Sequence, residues 1–159
     1  MKILGIDPGF ERLGIAVLEK NAGETKEKVL FSICFKTLAK LEFSERLYLI
    51  GKEVKKVIKK YKPEILSIET LFLTTNQKTV MRVAETRGVV IYEAVQAGLK
   101  IFEASPPQIK MATTSYGKAD KEQVMKMVKM LVDIDNSKKS DDELDAIAIA
   151  LTASAHIRF

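Results

Sequence analysis

Apolar and polar positions along the chain follow two different periods. Lys2 to Ile6 is a short, nearly continuous apolar run that ends at Asp7, as a strand would. Pro8-Gly9 marks a turn, Gly14 to Leu18 resumes strand character, and Asn21-Ala-Gly23 marks a second turn before a third strand over Val29 to Phe35. Three strands joined by short turns predict an antiparallel meander. The period then lengthens: Leu47, Ile50, Val54, Val57, Ile58 and Tyr61 recur at helical spacing, with Lys52, Lys55, Lys56, Lys59 and Lys60 on the polar side. Pro63 stops this helix, and Ile65 to Ile68 is a fourth strand ending at Glu69. A loop from Leu71 to Asn76 precedes a long helix, roughly Gln77 to Ala97, closed by Gly98. Lys100 to Ala104 is the fifth strand. Pro106-Pro107 opens a short helix, Thr113 to Lys118 is a polar loop, Lys121 to Val132 is a helix and Asp133 to Lys139 a loop. The last helix runs from Asp141 to Ala155, with Leu144, Ala148, Leu151 and Ala155 as its core stripe.

The strand–helix–strand order between Ile65 and Ala104 requires a parallel crossover. The expected fold is therefore α/β, a five-stranded mixed sheet with helices on both faces. No linker divides the chain and no internal repeat is visible, so residues 1–159 are expected to form one domain.

Composition narrows the class only modestly. The apolar fraction of 47% and the charged fraction of 30% are those of an ordinary globular protein. A net charge of +5, from 26 basic and 21 acidic residues, permits a polyanionic partner without demanding one. Lysine dominates and there are only five arginines, a balance that favours phosphate contacts over bidentate base reading. The single Cys34 rules out an internal disulfide and is expected to be a small buried hydrophobe. With no long apolar run and no signal peptide, the expectation is a soluble, cytoplasmic protein without a membrane partner.

The chemistry-bearing candidates are carboxylates. Asp7 ends the first strand, Glu69 ends the fourth, and Asp142 and Asp145 lie in the first turn or so of the last helix. If the two strands are neighbours, Asp7 and Glu69 meet at the C-terminal edge of the sheet, where open α/β sheets place their sites. Four carboxylates gathered there repel one another unless divalent cations lie between them. Such hard oxygen ligands suit Mg²⁺, or Mn²⁺ in its place. Two such ions, about 4 Å apart, can assist phosphodiester hydrolysis at both the attacking and the leaving oxygen.

Each piece also has a plainer explanation. Asp7 before Pro8-Gly9 suits a turn start, and Glu69 suits a solvated strand end. Ser140-Asp-Asp-Glu143 is a good capping box in which acids are stabilised without a metal. Spacing leaves Asp141 and Asp142 open as the partner of Asp145, and the core stripe leans slightly toward Asp141. Phe72 is either a core residue or an aromatic placed to stack on bases. His156 lacks a partner cluster, and the lysine row from 52 to 60 suits a solvated helix face.

Taken together, the motifs carry a resemblance. Ile3-Leu-Gly-Ile-Asp-Pro-Gly9 with Gly14 resembles the opening of the RuvC Holliday-junction resolvases. Ile68-Glu-Thr-Leu-Phe72 with Asn76 and Ala84-Glu-Thr-Arg-Gly88 resembles that family's second signature. Ala119-Asp-Lys121 with Gln123-Val124 and Met127-Val128 resembles its third block, and Asp142-Glu-Leu-Asp-Ala-Ile-Ala-Ile-Ala150 its last. Order, spacing and length agree over nearly the whole chain.

The resemblance implies a ribonuclease H-like fold with Asp7, Glu69, Asp142 and Asp145 as catalytic metal ligands for two Mg²⁺ ions. It implies an endonuclease that resolves four-way DNA junctions as a homodimer, leaving 5′-phosphate and 3′-hydroxyl nicks, with a branch-migration motor as partner. It further implies DNA contacts from Phe72, Asn76, Lys118 and Lys121. Two positions depart from the family pattern: Phe10 stands where a small polar residue is usual, and Ser115 where a second glycine is common. The alternatives are a related nuclease acting on structured RNA and a junction-binding scaffold without catalysis. Sugar-kinase and actin-like ATPases share the aspartate–glycine turn, but 159 residues are too few for their duplicated lobes.

Overall fold

A computed structural model of the chain describes residues 1–71, 77–134 and 138–157. The meander forms as expected: β1 (Lys2–Asp7), β2 (Arg12–Glu19) and β3 (Glu27–Lys36) pair antiparallel in sequence order. Helix α1 (Phe43–Tyr61) returns the chain so that β4 (Ile65–Glu69) lies parallel to β1. Helix α2 (Gln77–Gln96) is the crossover to β5 (Lys100–Ala104), which pairs parallel with β4. Helices α3 (Pro106–Thr114) and α4 (Lys121–Leu131) follow, then a two-residue strand β6 (Val132–Asp133) and the last helix α5 (Asp141–His156). The sheet order is β5-β4-β1-β2-β3-β6.

Three expectations need correction. The sheet has six strands rather than five, because Val132 and Asp133 leave the predicted loop to pair parallel with Glu27 and Lys28. Two residues are too few to show a strand period. The polar loop starts later than Thr113: Thr113 and Thr114 remain in α3, their hydroxyls donating back to the Ile109 and Lys110 carbonyls. Ser115 then ends that helix in the left-handed region, at φ 58°, the conformation for which the more usual glycine is suited. Finally, α5 carries no narrow core stripe. Leu144 and every residue from 146 to 154 are buried, whereas Ala155 is exposed.

That all-round burial follows from the layering. On one face of the sheet, Leu4, Ile6, Leu13, Ile15, Val17, Leu66 and Ile68 pack against Ile50, Val54 and Val57 of α1 and Val90 and Ala94 of α2. On the other, Ile3, Ala16, Leu18 and Ile65 pack against α5, and α5 is covered in turn by Ile109 of α3 and by Val124 and Val128 of α4. Helices occupy both faces. Among the described residues, no helix is long and apolar enough to cross a membrane.

Helix α5 lies very close to the sheet because two glycines make room. A Cβ at Gly5 would strike the Ala146 carbonyl oxygen and stand 2.8 Å from the Ala150 methyl; a Cβ at Gly14 would strike the Asp142 carbonyl oxygen. The obstacle at Gly14 is backbone, so it cannot rotate away. Gly14→Ala should therefore destabilise the protein by roughly 1–3 kcal/mol by lifting the start of α5, as urea denaturation would measure. Unchanged stability would mean that α5 has slack at this point.

Candidate active site

Strand alternation sets which side chains reach α5. Ile3 faces the α5 layer, whereas Leu4 and Ile6 face α1 and α2, so Asp7 follows Ile3 and Gly5 to the α5 side. The same alternation on β4 places Ile65, Ser67 and Glu69 there, and the Ser67 hydroxyl donates to the Ile149 carbonyl at 2.7 Å. Because Ile6 is in register with Ile68, Asp7 and Glu69 stand side by side one residue further on, at the C-terminal ends of parallel strands. Helix α5 begins at this edge. Ser140 caps it, accepting from the Glu143 amide, while the Glu143 carboxylate accepts from the Ser140 amide at 2.9 Å.

A cavity of about 220 Å³ opens between these elements, lined by Asp7, Glu69, Pro106, Ile109, Lys110, Lys121, Val124, Asp145 and Ile149. Burial pushes the Asp7 carboxyl up to about 7, with the charges of Asp145, Glu69 and Asp142 adding to the shift. Glu69 is raised by burial and by Asp145, and Asp145 is raised mainly by burial even though the Lys121 ammonium, 3.1 Å away, pulls it down. Asp142 differs. Burial raises it, but hydrogen bonds from Arg12 and Cys34 outweigh that and hold it below the usual range. Arg12 Nε donates to Asp142 Oδ2 at 3.0 Å, and a second guanidinium nitrogen forms an ion pair with the same oxygen. Asp141 is exposed and faces Lys121 at 3.6 Å. Asp142 is one of the charges that raise the Asp7 carboxyl.

This arrangement has close counterparts. A family model described as crossover junction endodeoxyribonuclease RuvC matches residues 3–153. The chain belongs to the RuvC family. It is 42% identical over 151 residues to the crossover junction endodeoxyribonuclease RuvC of Caldanaerobacter subterraneus, covering 95% of this chain and 90% of that one. Against the RuvC of Thermosipho melanesiensis, identity is 41% over 159 residues, covering all of both chains. In three dimensions the chain resembles Thermus thermophilus RuvC solved in complex with a Holliday junction substrate, with a TM-score of 0.91, 30% identity, and 98% and 94% of the two chains covered. The shared fold is ribonuclease H-like.

Of the site residues expected from the RuvC resemblance, the structure gathers Asp7, Glu69, Asp145 and Lys121 around one cavity and sets Asp142 beside it, turned toward Arg12. Lys118 is exposed in the turn before α4. Phe72 and Asn76 lie outside the described residues. Cys34 is not the buried hydrophobe expected. It is only partly buried, opposite Gly14 and next to Arg12 and Asp142, because β6 covers β3 only at Glu27 and Lys28.

Three residues near the site carried no role in the sequence. Arg12 pairs with an acid 130 positions away, a separation no local pattern reveals. Lys110 lines the cavity because α3 starts just after β5 at the same sheet edge; its spacing from Pro106, four residues, was the available signal. Arg87, inside the second motif, donates through Nε to the Glu69 carbonyl at 3.0 Å and pairs with Glu103, tying α2 to the end of β4.

The donor set fits hard divalent cations. It consists of carboxylates only, and like charge together with burial raises three of them. As the side chains stand, no group of three or more described acidic, Cys or His residues is arranged to hold an ion. Asp142 and Asp145 are instead occupied by Arg12 and Lys121.

The raised Asp7 carboxyl has a consequence for metal-free protein. The unfolded chain ionises near the ordinary value of 3.8 and the folded chain only near 7, so the folded state binds the extra proton between those values. Asp7 therefore destabilises the fold progressively as pH rises through that window, and by a constant amount above it. Asp7→Asn should melt at a higher temperature than the parent in chelator at pH 8, and the difference should vanish near pH 4. A difference independent of pH would contradict the burial and charge crowding described here.

Proposed function

We propose that this chain resolves four-way DNA junctions by metal-dependent hydrolysis, with Asp7, Glu69, Asp142 and Asp145 holding two Mg²⁺ ions, or Mn²⁺ in their place. The observation that carries the reading is the meeting of half-buried carboxylates from β1, β4 and α5 at one sheet edge beside Lys110 and Lys121. When bound, the ions would supply Lewis-acid stabilisation of the attacking water and of the leaving oxygen. Products with a 5′-phosphate and a 3′-hydroxyl require the P–O3′ bond to break, so negative charge grows on O3′ and a proton ends there. Lys110 and Lys121, on α3 and at the start of α4, face the cavity and suit the non-bridging oxygens of the phosphate being cut. For Lys121 this means exchanging its pairs with Asp145 and Asp141 for phosphate once cations neutralise the acids. Lys118, exposed nearby, adds a backbone contact.

A second copy of the chain completes the reading. Two opposed strands must be nicked, and a two-fold dimer supplies two sites. Helix α2 exposes Met81, Tyr92 and Val95, and α1 exposes Tyr48, an apolar surface suited to such an interface. The motor partner and the contacts of Phe72 and Asn76 rest on the family resemblance alone.

The direct test is incubation with a labelled four-way junction, with and without Mg²⁺ or Mn²⁺, mapping both strands, with a structured RNA as control. Paired nicks in DNA only, and only with metal, are expected. Asp7→Asn and Asp142→Asn should each lose cleavage by at least about a hundredfold, beyond the range typical of residues one step removed from a metal, while binding the junction within a few-fold. Asp141→Asn should cleave within a few-fold of the parent. If Asp141→Asn and Asp142→Asn exchange these behaviours, the assignment is wrong by one residue.

A further inference from the structure

Thr70 follows Glu69, and its Oγ1 is the buried side-chain polar atom left without a hydrogen-bond partner among the described residues. A buried hydroxyl without a partner is a standing cost in the free protein. Its position is fixed: the Thr70 amide donates to the Ala104 carbonyl at 2.9 Å, extending the β4–β5 ladder, and Arg87 holds the carbonyl of the preceding residue. Thr70 lines a groove of about 250 Å³ with Pro8, Leu71, Val83, Glu69 and Pro106. Glu69 and Pro106 also line the carboxylate cavity, so the two recesses adjoin at the sheet edge. One is acidic with lysines alongside; the other shares Glu69 with it, and apart from that residue and Thr70 its described walls are apolar.

We propose that this groove is a nucleobase subsite, taking the base next to the scissile phosphate and reading its edge through Thr70 Oγ1. The inference rests on the nuclease reading above. A strand whose phosphate lies over the carboxylates has its neighbouring nucleotide at the groove. Pro8, Leu71, Val83 and Pro106 suit the flat face of a base, and they offer nothing to a phosphate or a metal. The hydroxyl can donate or accept, and it gains on binding the hydrogen bond it lacks in the free protein.

The test compares the parent, Thr70→Val and Thr70→Ser on a panel of labelled junctions that differ only in the base pairs flanking the cut, in single-turnover reactions with Mg²⁺. Valine keeps the shape and removes the unpaired hydroxyl, so melting temperature should hold or rise. Cleavage of the preferred sequence should nevertheless fall about three- to tenfold, the scale of one hydrogen bond, and the base preference at one flanking position should flatten. Thr70→Ser should restore that preference. A merely structural role would move stability and activity together and leave the preference profile unchanged. Thr70→Val cleaving with the parent's profile would overturn the proposal, and so would a uniform drop across all sequences, which would place the hydroxyl on sugar or backbone. If the parent itself cuts no junction in Mg²⁺, it is the nuclease reading that fails, and the two failures are distinct.

Discussion

The closeness of α5 to the central strands is the constraint from which the other features follow. Gly5 and Gly14 leave no side chain between the sheet and the helix backbone at Ala146 and Asp142. The helix is consequently buried on all sides, sandwiched between the sheet and the α3–α4 layer. Its N-terminal turn must then sit directly over the ends of β1 and β4, where Asp7 and Glu69 project to the same side. Packing thus forces acids from three elements into a partly buried space. Electrostatics alone would drive them apart, as the raised carboxyls of Asp7, Glu69 and Asp145 record.

The surroundings answer that crowding with cations of the chain's own. Arg12 takes Asp142, and Lys121 takes Asp145 and Asp141. These pairs account both for the depressed carboxyl of Asp142 and for the absence, among the described residues, of a ready-made ligand cage. In the account proposed here, divalent ions and a phosphate take over these interactions together. The lysine released from the acids then becomes a ligand for the substrate. Arg87, donating to the Glu69 carbonyl, connects the crossover helix α2 to this edge, and the Thr70 amide, donating to the Ala104 carbonyl, connects it to β5.

Much of this architecture was legible in the sequence, and the exceptions have physical causes. β1 and β4 are buried by layers on both sides, so they read as short apolar runs bounded by Pro, and their ends located Asp7 and Glu69. α1 keeps a solvated face, and its lysines made the helical period plain. β6 escaped because its two residues carry no period, and the stripe assigned to α5 was wrong because a helix buried all round has none. The stripe had leaned toward Asp141, while in the fold Asp141 is exposed and Asp142 is half-buried and paired with Arg12. Cys34 was misjudged because the exposure of an edge strand depends on how far its neighbour extends. Arg12 and Thr70 were invisible for the same general reason, since their partners, or lack of them, are set by contacts distant in sequence.

Manganese-soaked crystals of the parent protein, measured at the manganese absorption edge, test the central claim most directly. The account predicts two anomalous peaks at the C-terminal edge of β1 and β4, contacted by Asp7, Glu69, Asp142 and Asp145, with Arg12 and Lys121 withdrawn from the acids. Manganese bound elsewhere, or none at this edge in crystals of protein that cleaves junctions in Mn²⁺, would contradict it.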